Sequence, residues 1–244
     1  MVLTLDVGNT NVKVAVFKQF NLIDKFVFQK NNFQNNFQII FEKYPNHSKV
    51  VMSSVSLLDK KDKVWLKKRK EVFEINAESV FPFTNKYITP KTLGTDRQVL
   101  ASGAVLQYPN QNVLIIDAGT CVTYDFVTNQ KEYLGGAISP GLRLRYKTLN
   151  DYTSKLPFLE NEMPENFIGN STNLSIHSGV VNGLCYEIEG FILEFSVNYK
   201  QLTIILTGGD AIFLANRLKN TIFADENFLL RSLQQLYTYS LQND

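Results

Sequence analysis

Cysteine and histidine are scarce, with two of each in 244 residues. Cys121 and Cys185 lack paired spacing, which argues against a disulfide framework or a zinc site and makes a reducing, cytoplasmic setting the expectation. His47 and His177 stand alone, so neither a histidine metal cluster nor a histidine-based triad is expected; each reads as a surface or core histidine. Apolar runs stay short. None approaches the ~20 residues of a membrane span, and Val113–Ile116 ends at once in Asp117. Met1–Asp6 has neither the basic start nor the apolar stretch of a signal peptide. Charge of one sign is also missing. Lys plus Arg is 25 and Asp plus Glu is 23, leaving +2, too little for bulk electrostatics to argue for nucleic acid. What is present is ordinary for a folded protein: 44% hydrophobic and 20% charged residues, enough for one large domain or two small ones.

Apolar runs that end in polar turns organise the chain. Leu3–Asp6 predicts a strand stopping at Val7-Gly8-Asn9-Thr10-Asn11, and Val12–Phe17 a returning strand. Asn21–Phe28 predicts a third strand, Phe33–Tyr44 a helix, Lys49–Val55 a buried strand and Asp59–Lys70 a basic helix. Gly94–Leu106 reads as a helix. Val113–Asp117 and Cys121–Phe126 are strands around the turn Ala118-Gly119-Thr120. Leu134–Gly141 reads as a glycine-rich loop and Arg143–Tyr152 as a helix. Ser175–Phe195 reads as a long helix whose Gly179, Gly183 and Gly190 allow close packing. Thr203–Leu206 is a further buried strand, stopped by Thr207-Gly208-Gly209-Asp210 and followed by an apolar helical run from Ala211 to Leu218. Phe228–Leu241 predicts a last helix.

Asp6 and Asp117 each end an apolar strand and open a Gly- and Thr-containing turn, nearly half the chain apart. That distance is too long for a solenoid repeat. It suits two similar α/β lobes with acids facing a shared nucleotide cleft. No Pro- or Ser-rich linker intervenes, so the expected division is residues 1–110 and 111–244.

Turns of this composition suit phosphate. Gly8 permits backbone conformations other residues resist, and exposed N–H groups with Asn9, Thr10 and Asn11 can cradle phosphate oxygens. Lys13 adds a point charge. Asp6 beside phosphate is repulsive unless it holds Mg²⁺, directly or through water. The same letters also describe a plain hairpin turn, and the segment is not a P-loop, because strand rather than helix follows. Asp117-Ala118-Gly119-Thr120 has the same ingredients, and Gly208-Gly209 lets backbone approach a ligand. At Gly94-Thr95-Asp96-Arg97, Arg97 could bind a carboxylate through paired hydrogen bonds and Asp96 could take a hydroxyl proton as the oxygen attacks phosphorus. A helix start with a capping acid and a solvated arginine is the plainer reading of those four residues.

Taken in order, these segments resemble type III pantothenate kinase over nearly the whole chain. Asp6–Lys13 and Asp117–Thr120 are similar to the family's two phosphate motifs. Tyr87 with Gly94–Arg97 is similar to its substrate tyrosine and Gly-x-Asp-Arg motif. Gly135–Gly141, Thr153–Pro157, Gly169–Thr172 with Ser178-Gly179, and Leu206–Asp210 complete the series. The resemblance implies two duplicated ribonuclease-H-like lobes of the actin-like ATPase fold and ATP-dependent phosphorylation of pantothenate, the first step of coenzyme A synthesis. It implies Asp96 as general base, and Tyr87, Gly94, Thr95, Asp96, Arg97 and Thr172 as pantothenate-binding residues. Asp6, Val7, Gly8, Asn9, Thr10, Asn11, Val12, Lys13 and Thr120 would bind ATP. Asp117 would hold a monovalent cation, K⁺ or NH₄⁺, and Asp6 would hold Mg²⁺. It further implies a cytoplasmic homodimer. Cys121 departs from the family's common alanine and is expected as a small buried residue.

Lys60–Lys70 carries seven basic residues and one acid. It reads as a solvated helix face with Val64, Trp65 and Leu66 partly inward; the alternative is an anion-binding patch. Two other functions stand beside the kinase. A regulatory protein would use the cleft for sensing, against which the intact Gly94–Arg97 argues. A kinase of the same fold could act on a sugar or acetate, against which Tyr87 and Thr172 argue through the resemblance alone.

Overall fold

The computed structural model describes residues 1–8, 11–47, 49–53, 58–219 and 222–243. In chain order its strands are β1 (Val2–Val7), β2 (Asn11–Lys18), β3 (Asn21–Gln29), β4 (Lys49–Ser53), β5 (Glu71–Glu74), β6 (Thr84–Asn85), β7 (Asn112–Ala118), β8 (Cys121–Val127), β9 (Glu132–Pro140), β10 (Leu202–Thr207) and β11 (Phe223–Ala224). Its helices are α1 (Phe33–Lys43), α2 (Lys60–Lys67), α3 (Thr95–Gln107), α4 (Leu142–Asp151), α5 (Thr172–His177), α6 (Gly183–Asn198), α7 (Ala211–Ala215) and α8 (Phe228–Asn243). One compact unit is Met1–Pro109 with Lys131–Tyr133 and Asn227–Asp244; the other is Asn110–Gln130 with Leu134–Glu226.

The first unit is built on a sheet ordered β3-β2-β1-β4-β5. β1 runs antiparallel to β2, with Asp6 opposite Lys13, and parallel to β4, with Asp6 opposite Ser53. Alternation along a strand sends successive side chains to opposite faces. Leu3, Leu5, Val7, Val12, Val14, Val16, Val50 and Met52 therefore share one face, closed by Phe33, Phe37 and Ile40 of α1 and Leu66 of α2. The other face carries Ala15, Phe17 and Val51 and packs on Val99 of α3 and Leu230, Leu233, Leu236 and Tyr237 of α8. By the same alternation Thr4, Asp6, Lys13 and Ser53 lie on this second face, the one α3 covers.

The second unit repeats the plan, with strand order β9-β8-β7-β10-β11. β7 is antiparallel to β8, with Asp117 opposite Thr123, and parallel to β10, with Asp117 opposite Thr207. Leu114, Ile116, Val122, Tyr124, Phe126 and Leu206 pack on α4, α6 and α7 through Leu142, Tyr146, Leu184, Ile188, Ile192 and Leu214. Asp6 and Asp117 thus occupy matching places: each is the last residue but one in the first strand of its hairpin.

Several local expectations give way to tertiary structure. The expected loop at Leu134–Gly141 is strand up to Pro140. Gly135-Gly136 erases the apolar alternation that marks a strand, but Gly136 lies against the Tyr124 carbonyl of the neighbouring strand, where a side chain has no room. The expected helix at Ser175–Phe195 is α5, a π turn at Ser178–Asn182, and α6. Gly179, Gly183 and Gly190 do not serve packing among the described residues, because a Cβ at each would meet none of them within 4 Å. The helical run expected from Ala211 to Leu218 stops at Ala215. Residues 111–244 do not all fall together, since α8 belongs to the first unit; its apolar face finds its partners on α3, β1 and β4. Cys121 is exposed rather than buried, because it starts β8 immediately beyond the turn. On α2 the inward residues are Asp62 and Leu66, four apart, while Val64 is exposed. The strand expected at Lys49–Val55 runs to Ser53, and 54–55 lie outside the described residues.

Candidate active site

In the first unit, β1 carries the carboxylate of Asp6 to the mouth of the β1–β2 turn, where Gly8 N–H donates to the Asn11 carbonyl at 3.0 Å. Asn9 and Thr10 lie outside the described residues; Val7 and Val12 are buried, and Asn11 and Lys13 are half-buried. Burial pushes the Asp6 carboxyl up to about 6; Lys13 pulls it down and the charge of Asp96 raises it further. That coupling ties Asp6 to Asp96, ninety positions away in the sequence. Asp96 is exposed in the first turn of α3 and its Oδ1 accepts from Arg97 N–H at 2.9 Å. A Cβ at Gly94 would stand 2.4 Å from Asp96 Oδ1, so a glycine there leaves room for the carboxylate to fold back over the helix start. Arg97 is buried, with its guanidinium 5.8 Å from the centre of the Tyr87 ring. Tyr87 N–H donates to Asn85 Oδ1 at 2.9 Å, and its ring lies 6.2 Å from that of Tyr133. Thr95 is half-buried between Gly94 and Asp96.

Two hydroxyls escaped the sequence reading. Ser53 Oγ and Thr4 Oγ1 are fully buried and find no hydrogen-bond partner among the described residues. An unsatisfied buried hydroxyl costs ~1–3 kcal/mol. Only the strand register, with Ser53 opposite Asp6, reveals that they share its face. Asp6 and these hydroxyls are oxygen donors, the chemistry magnesium prefers.

In the second unit the turn Asp117–Thr120 is gripped from two sides. Gly208 has φ of 98°, and a Cβ on it would lie 2.3 Å from the Ala118 carbonyl oxygen and 2.4 Å from Asp117 Oδ1. Those two oxygens therefore both face the Gly208 backbone and leave no room for a side chain there. Asp210 N–H donates to the same Ala118 carbonyl at 3.0 Å. On the other side, a Cβ on Gly141 would sit 2.1 Å from the Gly119 carbonyl oxygen. Asp117 is half-buried and Thr120 exposed. Thr172 begins α5 and is exposed, lining a groove of about 680 Å³ with Leu149, Leu156, Ser175 and Ile176. The expected residues are thus divided: the Asp6–Lys13 turn, Tyr87 and Gly94–Arg97 belong to the first unit, and Asp117, Thr120 and Thr172 to the second.

Part of the basic stretch is engaged locally. Lys63 and Lys67 pair with Glu74, and the Arg69 guanidinium lies 4.2 Å from the Trp65 ring centre.

The sequence profile of type III pantothenate kinase matches residues 2–194. The chain belongs to the type III pantothenate kinase family. A relative of that name from Flavobacterium johnsoniae is 56% identical over 244 residues, covering 100% of both chains. Another, from Christiangramia forsetii, is 45% identical over 240 residues, 98% of this chain and 99% of the relative. Among solved structures, a conserved Baf-family protein of Campylobacter jejuni superimposes with a TM-score of 0.67 at 20% identity, covering 98% of this chain and 99% of that one. The activator of 2-hydroxyisocaproyl-CoA dehydratase from Clostridium difficile, with bound ADPNP, gives 0.56 at 10% identity, covering 99% and 96%. Such identities speak to fold alone, and the fold is the two-sheet α/β nucleotide-binding one the sequence implies.

Proposed function

We propose that the protein transfers the γ-phosphoryl group of ATP to the primary hydroxyl of pantothenate, giving 4′-phosphopantothenate, the first step of coenzyme A synthesis. The observation that carries this reading is the packing of α3, with Asp96 exposed in its first turn, over the sheet face that holds the half-buried Asp6 at the end of β1, close enough for the two carboxylates to feel each other's charge. The helix that presents the base carboxylate then covers the sheet face beside the phosphate turn, the closeness that in-line transfer requires.

In this reading Asp6, Val7, Gly8, Asn9, Thr10, Asn11, Val12 and Lys13 bind ATP, with Thr120 as a further donor. Lys13 offsets phosphate charge. Tyr87, Gly94, Thr95, Asp96, Arg97 and Thr172 bind pantothenate, the Arg97 guanidinium taking its carboxylate. Asp96 accepts the hydroxyl proton as the oxygen reaches phosphorus, a contribution of ~10²–10⁴ in rate. Asp6 with Ser53 would hold Mg²⁺, directly or through water. When bound, that ion neutralises charge on the phosphoryl oxygens. Its presence would also relieve the penalty that burial places on Asp6. Asp117 and the Ala118 carbonyl would hold K⁺ or NH₄⁺.

The protein acts in the cytoplasm as a homodimer. Among the described residues no helix is long and apolar enough to cross a membrane. Support for the dimer comes from α6, where Tyr186, Leu193 and Val197 are exposed and Gly190 has open space above it. With Gly179 and Gly183 they recur at alternating spacings of four and three, the seam of a helix pair.

The test is ADP release with pantothenate, with sugars or acetate, and with no acceptor, each with and without K⁺. Pantothenate-dependent release that K⁺ stimulates is expected. Release with a sugar but not with pantothenate, under every cation, defeats the assignment.

A further inference from the structure

The Asp117–Thr120 turn is held in place by side chains that do not touch it. Arg145, in the first turn of α4, wraps the junction from which that helix starts. Its Nε donates to the Pro140 carbonyl at 2.8 Å and its Nη2 to Ser139 Oγ at 2.9 Å. The same Nη2 pairs with Glu187 Oε2, on α6, at 2.5 Å. Glu187 Oε1 accepts from the Tyr124 hydroxyl, on β8, at 2.8 Å. Burial pushes the Glu187 carboxyl up, but hydrogen bonds from Arg145, Ser139 and Tyr124 outweigh it and hold it below the usual range. Burial and the bond to Glu187 push the Tyr124 hydroxyl up, so it remains a donor. Both partners of the ion pair are about three-quarters shielded, with 21% and 26% of their side chains exposed. Strand, junction and two helices thus meet in one polar knot.

What the knot secures is Gly141. Its N–H donates to the Thr120 carbonyl at 3.1 Å, and the place of its absent Cβ is 2.1 Å from the Gly119 oxygen and 2.7 Å from the Thr120 oxygen. The turn therefore rests directly on the junction that Arg145 clasps. If the junction relaxes outward, Thr120 and the Asp117–Ala118 oxygens lose their backing. Arginine suits the task because one planar fork can reach Pro140, Ser139 and Glu187 together, which a lysine ammonium on its flexible stem cannot reproduce.

We propose that Arg145, held by Glu187 and Tyr124, is a positioning residue for ATP and cation binding at the Asp117–Thr120 turn. The inference rests on the assignment of that turn to ATP and a monovalent cation. It assigns no contact with pantothenate, so its mark is a selective one.

The experiment is steady-state kinetics with Arg145→Ala, Arg145→Lys, Glu187→Gln, the Arg145→Ala/Glu187→Ala pair and Thr120→Val, with melting temperatures measured alongside. Arg145→Ala is expected to raise the KM for ATP and the half-activating K⁺ concentration about tenfold, with the KM for pantothenate changed by less than about twofold. Arg145→Lys should not rescue. Glu187→Gln keeps an acceptor for Arg145 and Tyr124 and should fold normally with a smaller rise. The double variant should be no worse than Arg145→Ala, because the two side chains act as one unit. The inference is overturned if Arg145→Ala lowers the melting temperature but leaves the ATP and K⁺ constants at wild-type values, or raises both KM values alike. Thr120→Val separates the two levels. An unchanged KM for ATP in Thr120→Val defeats the assignment of the turn itself, whereas a rise there without one in Arg145→Ala defeats only the clasp.

Discussion

Asp6 and Asp96 are both carboxylates near phosphate chemistry, yet their surroundings set them apart. Asp96 is exposed, as the proposed role of base requires; Asp6 is half-buried and its carboxyl is pushed up to about 6. Asp96→Asn is expected to fold with wild-type melting and to lose ~10²-fold or more of kcat; a variant that keeps wild-type turnover removes Asp96 from the base role. Gly94→Ala should do part of the same damage indirectly, by driving the Asp96 carboxylate from its place over the helix start. A crystal structure of that variant with Asp96 unmoved would contradict it. Asp6 makes a pH prediction. Its carboxyl is raised in the folded state, so the stability it contributes is full below pH 4 and is lost as pH rises through about 6. A shift of that size is worth up to about 3 kcal/mol before solvent screening. Asp6→Asn should therefore melt above wild type at pH 7.5, with the gap closing towards pH 4, while activity is lost. A gap that does not change between pH 4 and pH 8 would count against the buried charge.

At the scale of elements, the repeated hairpin explains why the same acid recurs. β1–β2 and β7–β8 are antiparallel pairs, and β4 and β10 run parallel to their first strands. The carboxyl ends of parallel strands are where open α/β sheets bind ligands, and Asp6 and Asp117 stand there. This much was legible in the sequence, because a buried strand declares itself through a run of apolar residues and an abrupt polar stop. Strand β9 did not, since its glycines carry no apolar signal and only the neighbouring strand fixes them. On α6 the unfilled Gly190 beside exposed Leu193 and Val197 makes a concrete prediction. Leu193→Glu should convert a dimer to a monomer in sedimentation velocity without changing the circular dichroism. A dimer that survives the substitution places the interface elsewhere.

For the whole molecule, the last helix has more influence than its position in the chain suggests. α8 comes after the second unit in sequence, yet Leu230, Leu233, Leu236 and Tyr237 complete the core of the first, against the face that carries Asp6. Leu233 is fully buried, and Leu233→Ala should cost about 3 kcal/mol in urea unfolding. Because the lost contacts belong to the sheet that presents Asp6 and Lys13, Leu233→Ala should also weaken ATP binding, so that ATP raises its melting temperature by less than it raises that of wild type. An equal rise in the two proteins would separate α8 from the nucleotide site.

The buried strands that lead into the two acid-bearing turns, the pairing of Asp6 with Asp117 along the chain and the likeness to the family were legible in the sequence alone. Each is a local pattern: side chains alternate every two residues in a strand, and a turn is built from four or five consecutive residues. The tertiary structure decided the rest. It brought Asp96 within electrostatic reach of Asp6, turned Gly135-Gly136 into a strand, left Cys121 in the open and returned α8 to the first unit. Burial and charge coupling depend on which distant segment covers a given face, and that is a property of the packed chain rather than of any stretch within it.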